Sequence, residues 1–591
     1  MSEEDTEIKS EEPEQGDVLG EVSNEDKETE KSTRRRLEKH KLRLAKLVST
    51  KKRKIIVIII GVIILLGTLA AIPFTRYAIA GPFIKKDITV TVIDATTKRP
   101  INDAVISIGG VSGQSDTKGT AVLKSVGVGQ YNLKITKQYY SDQTYAYTVP
   151  LFSAPKALAS TMNATGRQVS LSISNRVSGD PLDEVTVSVG STSATTSSDG
   201  TSVIILPADK NIQTATLTKD GYNTTTVSIN VNDITAKNDY RMAPSGSVYY
   251  LSKITGTINV MKANLDGSSA KVVVAGTGKE SDTGTVILSA RDWKYSVLLS
   301  KRDSDKDKVY LIDSSNDTLT TIDEGNATFS LVGWSGHNFV YLVYRNTTNQ
   351  WDNKREALKT YNADTKKLTT LYETTGAGTS YYDYQYENIS SIYILDNEIT
   401  YIKNWQMAYY SSDPSKNSQL ISINPTTNTK KLVKEFPSSY NASVSAKLYS
   451  PQDMYIRTQA YPSDPVYYDY EDGNISTVTN VTDDTFNNPY PTYLISPSGK
   501  KTFWSDPRDG KNTLLIGDQN AKSTTQIASL SDYTAYGWYS DDYILLSKNS
   551  SELYIASANK PISDSNPPVK ITNFHKPQVT FPGYGYGYGG Q

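Results

Sequence analysis

The stretch Ser496–Trp504, SPSGKKTFW, runs from a turn into a strand and is followed by Lys511–Asp518, KNTLLIGD. It is the sharpest member of a series. From Ser247 onward, apolar strands recur with hairpins at roughly 40–50-residue intervals, a spacing found in propeller blades. The candidate blades are Val248–Val274, Thr285–Ile322, Phe329–Tyr372, Ile392–Phe436, Val444–Val478, Tyr493–Ile527 and Ala535–Ile571. The pattern predicts a β-propeller of about seven blades over 246–576, a fold that hides sheet edges by radial closure. Closure is expected either by pairing Val248–Leu251 with the last blade or with that strand opening the first. All six Trp of the chain lie in this part. Trp334 and Trp538 share a context, Gly-Trp before a second apolar strand, and each is expected to pack between adjacent blades.

Working towards the amino terminus, two shorter segments alternate apolar and polar residues in the manner of small sandwiches. The first, 86–150, contains Ile88-Val90-Val92, Val105-Ile106-Ile108, Ala121-Leu123 and Tyr131-Leu133-Ile135. The second, 167–245, repeats its punctuation. Pro100 and Gly119 are nineteen positions apart, and so are Pro181 and Gly200. Each Gly is expected to close a hairpin where positive φ is wanted. Between the copies, Ser153–Gly166 (within 151–166) is small and polar and reads as a linker.

These motifs carry two resemblances. Pro-(Ile/Leu)-x-x-(Ala/Val), the Asp116-Thr117-Lys118-Gly119 and Ser198-Asp199-Gly200 turns, and Gly221-Tyr222 resemble carboxypeptidase-regulatory-like modules, relatives of PEGA and transthyretin-like sandwiches. The first copy has Gln138 in place of the last Gly, and the second has Asp209-Lys210-Asn211 where a Gly-x-Tyr strand entry belongs. The resemblance implies an extracytoplasmic spacer or ligand-binding sandwich and supplies no catalytic residue. Ser496–Trp504, with Val309–Asp313 and Leu420–Asn424 as third strands, resembles TolB-like and dipeptidyl-peptidase-type propellers. Together they identify the chain as similar to bacterial membrane-anchored surface proteins, and its fold class as mainly β, with one N-terminal transmembrane helix, two sandwiches and a propeller.

The helix is expected at Ile55–Phe74, IIVIIIGVIILLGTLAAIPF, which has no charge and is long enough to span a hydrocarbon core of roughly 30 Å. Segment 1–33 is acidic and nearly free of apolar residues, a composition that favours disorder. Segment 34–54 is basic, with Leu37, Leu44 and Leu47 at helical spacing. It reads as a juxtamembrane helix or a topology signal, and it places the amino terminus in the cytoplasm. The competing expectation is a cleaved signal peptide, for which Ala78-Ile79-Ala80 supplies an A-x-A site. The tail 577–591 is rich in Gly and Tyr and reads as flexible.

Composition narrows the chemistry. The chain has 591 residues, no Cys and a formal net charge of -1. Disulfides, thiol nucleophiles and Cys–zinc sites are excluded, and bulk electrostatics argue against nucleic acid. The three His are His40, His337 and His575. Gly333-Trp334-Ser335-Gly336-His337 is the nearest approach to a nucleophile elbow, but His337 occupies a position that needs a small residue. Neither a zinc-protease helix motif nor a phosphate loop is present.

Asp303, Asp305 and Asp307 alternate in a hairpin loop and are the candidate Ca²⁺ ligands. Tyr381, Tyr382 and Tyr384, and Tyr467, Tyr468 and Tyr470, are candidate recognition aromatics for sugars or proteins. The expected function is that of a single-pass cell-membrane protein whose propeller head binds an extracytoplasmic protein or cell-envelope glycan, with no catalysis. A hydrolase or lyase in the propeller channel and a transmembrane signalling scaffold are the alternatives.

Overall fold

The structure, a computed structural model, describes residues 51–573 apart from 72, 234, 347–353, 379, 381, 408–411, 509–511, 530–531 and 550. The expected acidic tail, most of the basic segment, the Gly/Tyr tail and Tyr381 lie outside the described residues. The chain divides into two compact units, Met1–Gly166 and Arg167–Gln591. Each is taken by itself.

In the first unit a helix covers Lys51–Ala71 and a second covers Pro73–Ala80. Among the described residues no helix is long and apolar enough to cross a membrane. A sandwich follows: β1 (Lys85–Asp94), β2 (Val105–Ile108), β3 (Val111–Gln114), β4 (Thr120–Gly127), β5 (Gly129–Thr136), β6 (Gln143–Val149) and β7 (Leu158–Met162). Its sheets have the orders β4-β1-β7 and β3-β2-β5-β6. Ile88, Val90 and Val92 alternate inward from β1 to meet Ile106, Leu133 and Ile135. The expected linker is in part a strand. β7 pairs in parallel with β1 in the register Val90–Leu158, and Met162 is buried in the core. Small polar residues suit this edge strand, because only alternate side chains face inward.

The second unit opens with the same arrangement: β8 (Gly166–Asn175), β9 (Thr186–Val189), β10 (Thr192–Thr195), β11 (Thr201–Pro207), β12 (Ile212–Thr218), β13 (Thr225–Asn230) and β14 (Asp239–Met242). Its sheets run β11-β8-β14 and β10-β9-β12-β13, position for position the orders of the first sandwich. The local bonds repeat too. Ser115 Oγ donates to the Ile101 carbonyl and accepts from Ala104 N–H; Thr196 Oγ1 does the same with Leu182 and Val185.

Seven antiparallel sheets follow in order, at 247–274, 286–324, 327–373, 376–436, 442–478, 494–529 and 533–573. The first has three strands and the fourth gains a short fifth, Gly376–Ala377; the others have four. Each sheet packs on the next. Tyr249 of the first meets Tyr310 of the second. Leu288 of the second meets Phe339 of the third, and Leu358 of the third meets Tyr401 of the fourth. Phe436 of the fourth meets Ile456 of the fifth. The fifth and sixth are joined through Tyr449, whose carbonyl accepts from the Tyr493 hydroxyl at 3.0 Å. Phe503 of the sixth packs with Trp538 of the seventh, and Leu545 of the seventh packs with Val248 and Tyr250 of the first. This closed cycle of sheets is a β-propeller.

Closure is by packing. Ser247–Ser252 pairs with Asn259–Asn264 and opens the first sheet; among the described residues it has no partner strand in the seventh. Indole groups help to hold the cycle. Trp334 and Trp538 each donate Nε1–H to a carbonyl of the preceding sheet's first strand, Leu288 at 3.1 Å and Leu494 at 2.7 Å. Trp293, in the first turn of the second sheet, donates to the Trp538 carbonyl at 2.9 Å and stacks on Tyr539. A buried aromatic with a satisfied polar tip combines apolar area with a fixed orientation.

Candidate recognition surface

Antiparallel alternation decides which loops share an end of the propeller. The loops entering the fourth sheet's long first strand (378–384), joining the fourth and fifth sheets (437–441), and joining the fifth sheet's second and third strands (461–465) all lie at one end. Each presents a tyrosine to solvent. Tyr382 is 77 % exposed, Tyr440 53 % and Tyr461 74 %.

Hydrogen bonds set the loops around these rings. Asp383 Oδ1 accepts from the Ser380 N–H at 2.6 Å and from its hydroxyl at 2.7 Å, fixing the turn that carries Tyr382. Ser412 Oγ donates to the Ser439 carbonyl and accepts from Ala442 N–H, while Ser438 Oγ donates to the Asp413 carbonyl at 2.8 Å. The loop before Ser418 and the loop bearing Tyr440 are thereby tied together. Ser463 N–H donates to the Ala460 carbonyl at 2.8 Å beside Tyr461.

Beneath this end lies a charged aromatic layer. The Arg355 guanidinium sits over the Tyr384 and Tyr386 rings at 5.5 and 4.9 Å. Glu387 accepts from the Tyr372 hydroxyl at 2.5 Å and from Thr375 N–H at 2.8 Å, with Lys403 Nζ at 3.3 Å. Burial alone would raise its carboxyl, but these donors hold it below the usual range. Glu356 accepts from Ile389 N–H at 2.7 Å, and burial pushes its carboxyl up to about 7. The two acids join the third sheet to the fourth.

The structure separates the tyrosines nominated from sequence. Tyr382 is exposed, whereas Tyr384 is buried and stacked on Tyr386. Tyr467 and Tyr470 are buried, and Tyr468 is half-buried with its ring edge-on to Phe436. These three belong to Val466–Glu471, an inner strand of the fifth sheet, and successive side chains are covered from both faces. They are packing residues, with the Tyr467 hydroxyl donating to Asp483 at 2.6 Å. Tyr440 and Tyr461 escaped the sequence reading because each is a single aromatic among Ser, Pro, Asn and Asp; that isolation in a turn-rich stretch was the available signal.

Among the described residues no group of three or more His, Asp or Glu side chains is placed to hold a metal. Asp303 instead accepts from the Tyr310 hydroxyl at 2.7 Å and lies 3.6 Å from Arg302, so Asp303, Asp305 and Asp307 do not form a ligand set. His337 lies at the opposite end of the sheets. Its Nδ1 is 2.7 Å from Asp364 and its Nε2 3.0 Å from Asp292, with Tyr295 edge-on to the ring and donating to Asp364. Burial would lower its pKa, but the two carboxylates raise it. The group clamps the second sheet to the third.

No family model and no curated protein matches the chain. Similar solved structures include TolB from Acinetobacter baumannii, at 13 % identity over 53 % of this chain and 75 % of that one, with a TM-score of 0.25. The β-propeller domain of the Trilobed protease from Pyrococcus furiosus is 13 % identical over 48 % of this chain and 85 % of that one, with a TM-score of 0.28. A type II cohesin–X-dockerin complex from Acetivibrio cellulolyticus is 25 % identical over 14 % of this chain, with a TM-score of 0.12; the match spans 58 % of that chain. The class defined by the sheets is a mainly β protein with a β-propeller.

Proposed function

We propose that the chain is a membrane-anchored recognition protein whose propeller binds an extracytoplasmic macromolecule through the end that carries Tyr382, Tyr440 and Tyr461. The observation that carries this reading is the exposure of three large rings on three braced loops of two adjacent sheets. Held in water, such rings forgo the burial that a large side chain ordinarily gains, about 1.5–3 kcal/mol each, and a partner restores it.

The anchoring part rests on Ile55–Phe74. Its described isoleucines and Leu65 are exposed on the helix Lys51–Ala71, which suits an apolar solvent. Basic residues precede the run and few follow it, which favours a cytoplasmic amino terminus and an outward propeller. The two sandwiches then serve as spacers, in keeping with their resemblance to carboxypeptidase-regulatory-like modules.

The test uses the full chain in detergent micelles against the insoluble envelope sediment of the producing cell. Wild-type protein is expected to co-sediment, and a Tyr382→Ala/Tyr440→Ala/Tyr461→Ala variant with an unchanged melting temperature is expected to stay in the supernatant. Equal sedimentation of both proteins would remove the surface from consideration. Membrane fractionation with an antibody to the first residues tests the anchor; a mature protein that begins near Gly81 would overturn it.

A further inference from the structure

The chemistry of the four loops at this end goes further than binding in general. The described residues of segments 378–384, 412–417, 437–441 and 461–465 include no Leu, Ile, Val, Met or Phe. Their large exposed side chains are tyrosines, and their other side chains are Ser, Asn, Asp, Pro and Lys. A protein partner is ordinarily held by a desolvated patch core with aliphatic and aromatic anchors in pockets. Here the three rings lie on different loops, in stretches whose sequence neighbours include Ser, Asn, Asp and Pro.

A pyranose has complementary chemistry. One face of the sugar ring presents axial C–H groups that stack on an aromatic ring, and its rim presents hydroxyls that both donate and accept. Tyr supplies the flat apolar face with little conformational freedom to lose. Ser439, Asn441, Ser463 and Asp464 lie within three residues of Tyr440 or Tyr461 and supply rim partners. The rings sit on three separate loops of two neighbouring sheets, so a ligand that engages all of them must be a chain of sugars rather than a single one.

We propose that the end of the fourth and fifth blades is a carbohydrate-binding surface that takes a polysaccharide chain, with Tyr382, Tyr440 and Tyr461 as stacking platforms. This rests on the recognition reading above and names its ligand class. Stacking needs the ring and not the phenol hydroxyl, which separates it from specific hydrogen bonding; an unchanged melting temperature of the Ala variants separates it from a role in folding. Tyr→Phe at each position keeps the platform; Tyr→Ala removes it. Each ring is expected to contribute roughly two- to ten-fold in affinity.

The experiment repeats the co-sedimentation with envelope treated in two ways. Periodate cleaves vicinal diols of sugars, and proteinase K removes protein. Loss of binding after periodate, but not after proteinase K, with Tyr→Phe variants retained and Tyr→Ala variants released, is the expected result. Loss after proteinase K alone would overturn the carbohydrate assignment and leave recognition standing, with a protein as partner. Failure of wild-type protein to bind untreated sediment, or equal binding by the triple Ala variant, would overturn both.

Discussion

The two sandwiches share one topology, yet one turn differs in what it does. In the first, Asp94 at the inner end of β1 accepts from Thr96 and Thr97 N–H at 2.8 Å and from the Tyr140 hydroxyl at 2.9 Å. In the second, the equivalent residue is Asn175. Its Oδ1 accepts from Val177 N–H at 2.8 Å and Ser178 N–H at 3.2 Å, preserving the turn. Its amide group donates instead, to the Tyr222 hydroxyl at 3.0 Å and to Tyr543 of the seventh blade at 2.8 Å. Thr96 is exposed, but Val177 is buried in a cluster with Val248, Tyr250 and Trp293 of the propeller. Lys560 adds a bond to the Ser178 carbonyl at 2.9 Å and an ion pair with Asp180. A carboxylate can only accept; an amide can also donate. With Val in place of Thr, that change makes a solvent-facing turn into a plug that fuses the second sandwich to the propeller.

The comparison can be broken most severely at the glycine the two copies share. Gly119 and Gly200 have φ of +73° and +74°, and a Cβ on either would meet a β-strand carbonyl, that of Val92 or Ile173, at 2.5 Å. Gly119→Val and Gly200→Val are each expected to cost about 3 kcal/mol or more. Hydrogen exchange should show Gly119→Val loosening only the first sandwich, and Gly200→Val also loosening the first and seventh blades. Blades that stay fully protected in Gly200→Val would mean that the plug does not couple the two parts.

A milder break tests the plug itself. Val177→Asp places a charge in an apolar cluster and is expected to cost about 2–4 kcal/mol. Thr96→Asp, at the equivalent exposed position, should stay within about 0.5 kcal/mol. Thermal unfolding of the full chain compares them directly, and equal shifts would refute the distinction.

The smallest effect is electrostatic. Asp292, which holds His337, adjoins Trp293 in the cluster that receives Val177. The folded-state pKa of His337 is raised by Asp364 and Asp292 against the opposing effect of burial. Its contribution is therefore complete below the unfolded value of about 6.5 and is lost as pH rises through the folded value. Asp292 and Asp364 are lowered, so theirs is lost as pH falls below the carboxylate range. The groups facing the imidazole also include Lys294 and Tyr295. In this half-exposed setting the amplitude should be under about 1 kcal/mol. His337→Gln is expected to flatten the melting-temperature profile above neutrality; an unchanged slope would show that the clamp does not titrate.

Much of the fold was legible in short-range pattern. Alternation in Ile88-Val90-Val92 marks an inward strand face, and the Pro-to-Gly spacing marks a repeat. The Gly-Trp contexts pointed to rings between blades, and Trp334 and Trp538 bond across to the preceding sheet. The candidate recognition surface was less legible. Val466–Glu471 carries three tyrosines and reads like Ser380–Tyr386, yet an inner strand covers the first set while a loop exposes Tyr382. Adjacent acids do not report exposure here, because a buried phenol uses a carboxylate as its acceptor, as Tyr467 uses Asp483. Ser153–Gly166 reads as a linker because parallel pairing to β1 is a long-range fact with no local signature.

The sequence by itself determined that this chain is mainly β, that two sandwiches repeat, and that strands then recur at blade spacing. Those properties follow from side-chain periodicity and turn chemistry, which act over a few residues. Only the tertiary structure decided how the cycle closes, that the second sandwich is fused to it, and which tyrosines face water. Those outcomes depend on contacts between residues hundreds of positions apart, such as Asn175 with Tyr543 and Trp293 with Trp538. No local pattern encodes such a contact, because it is set by which surfaces remain to be buried once the sheets have formed.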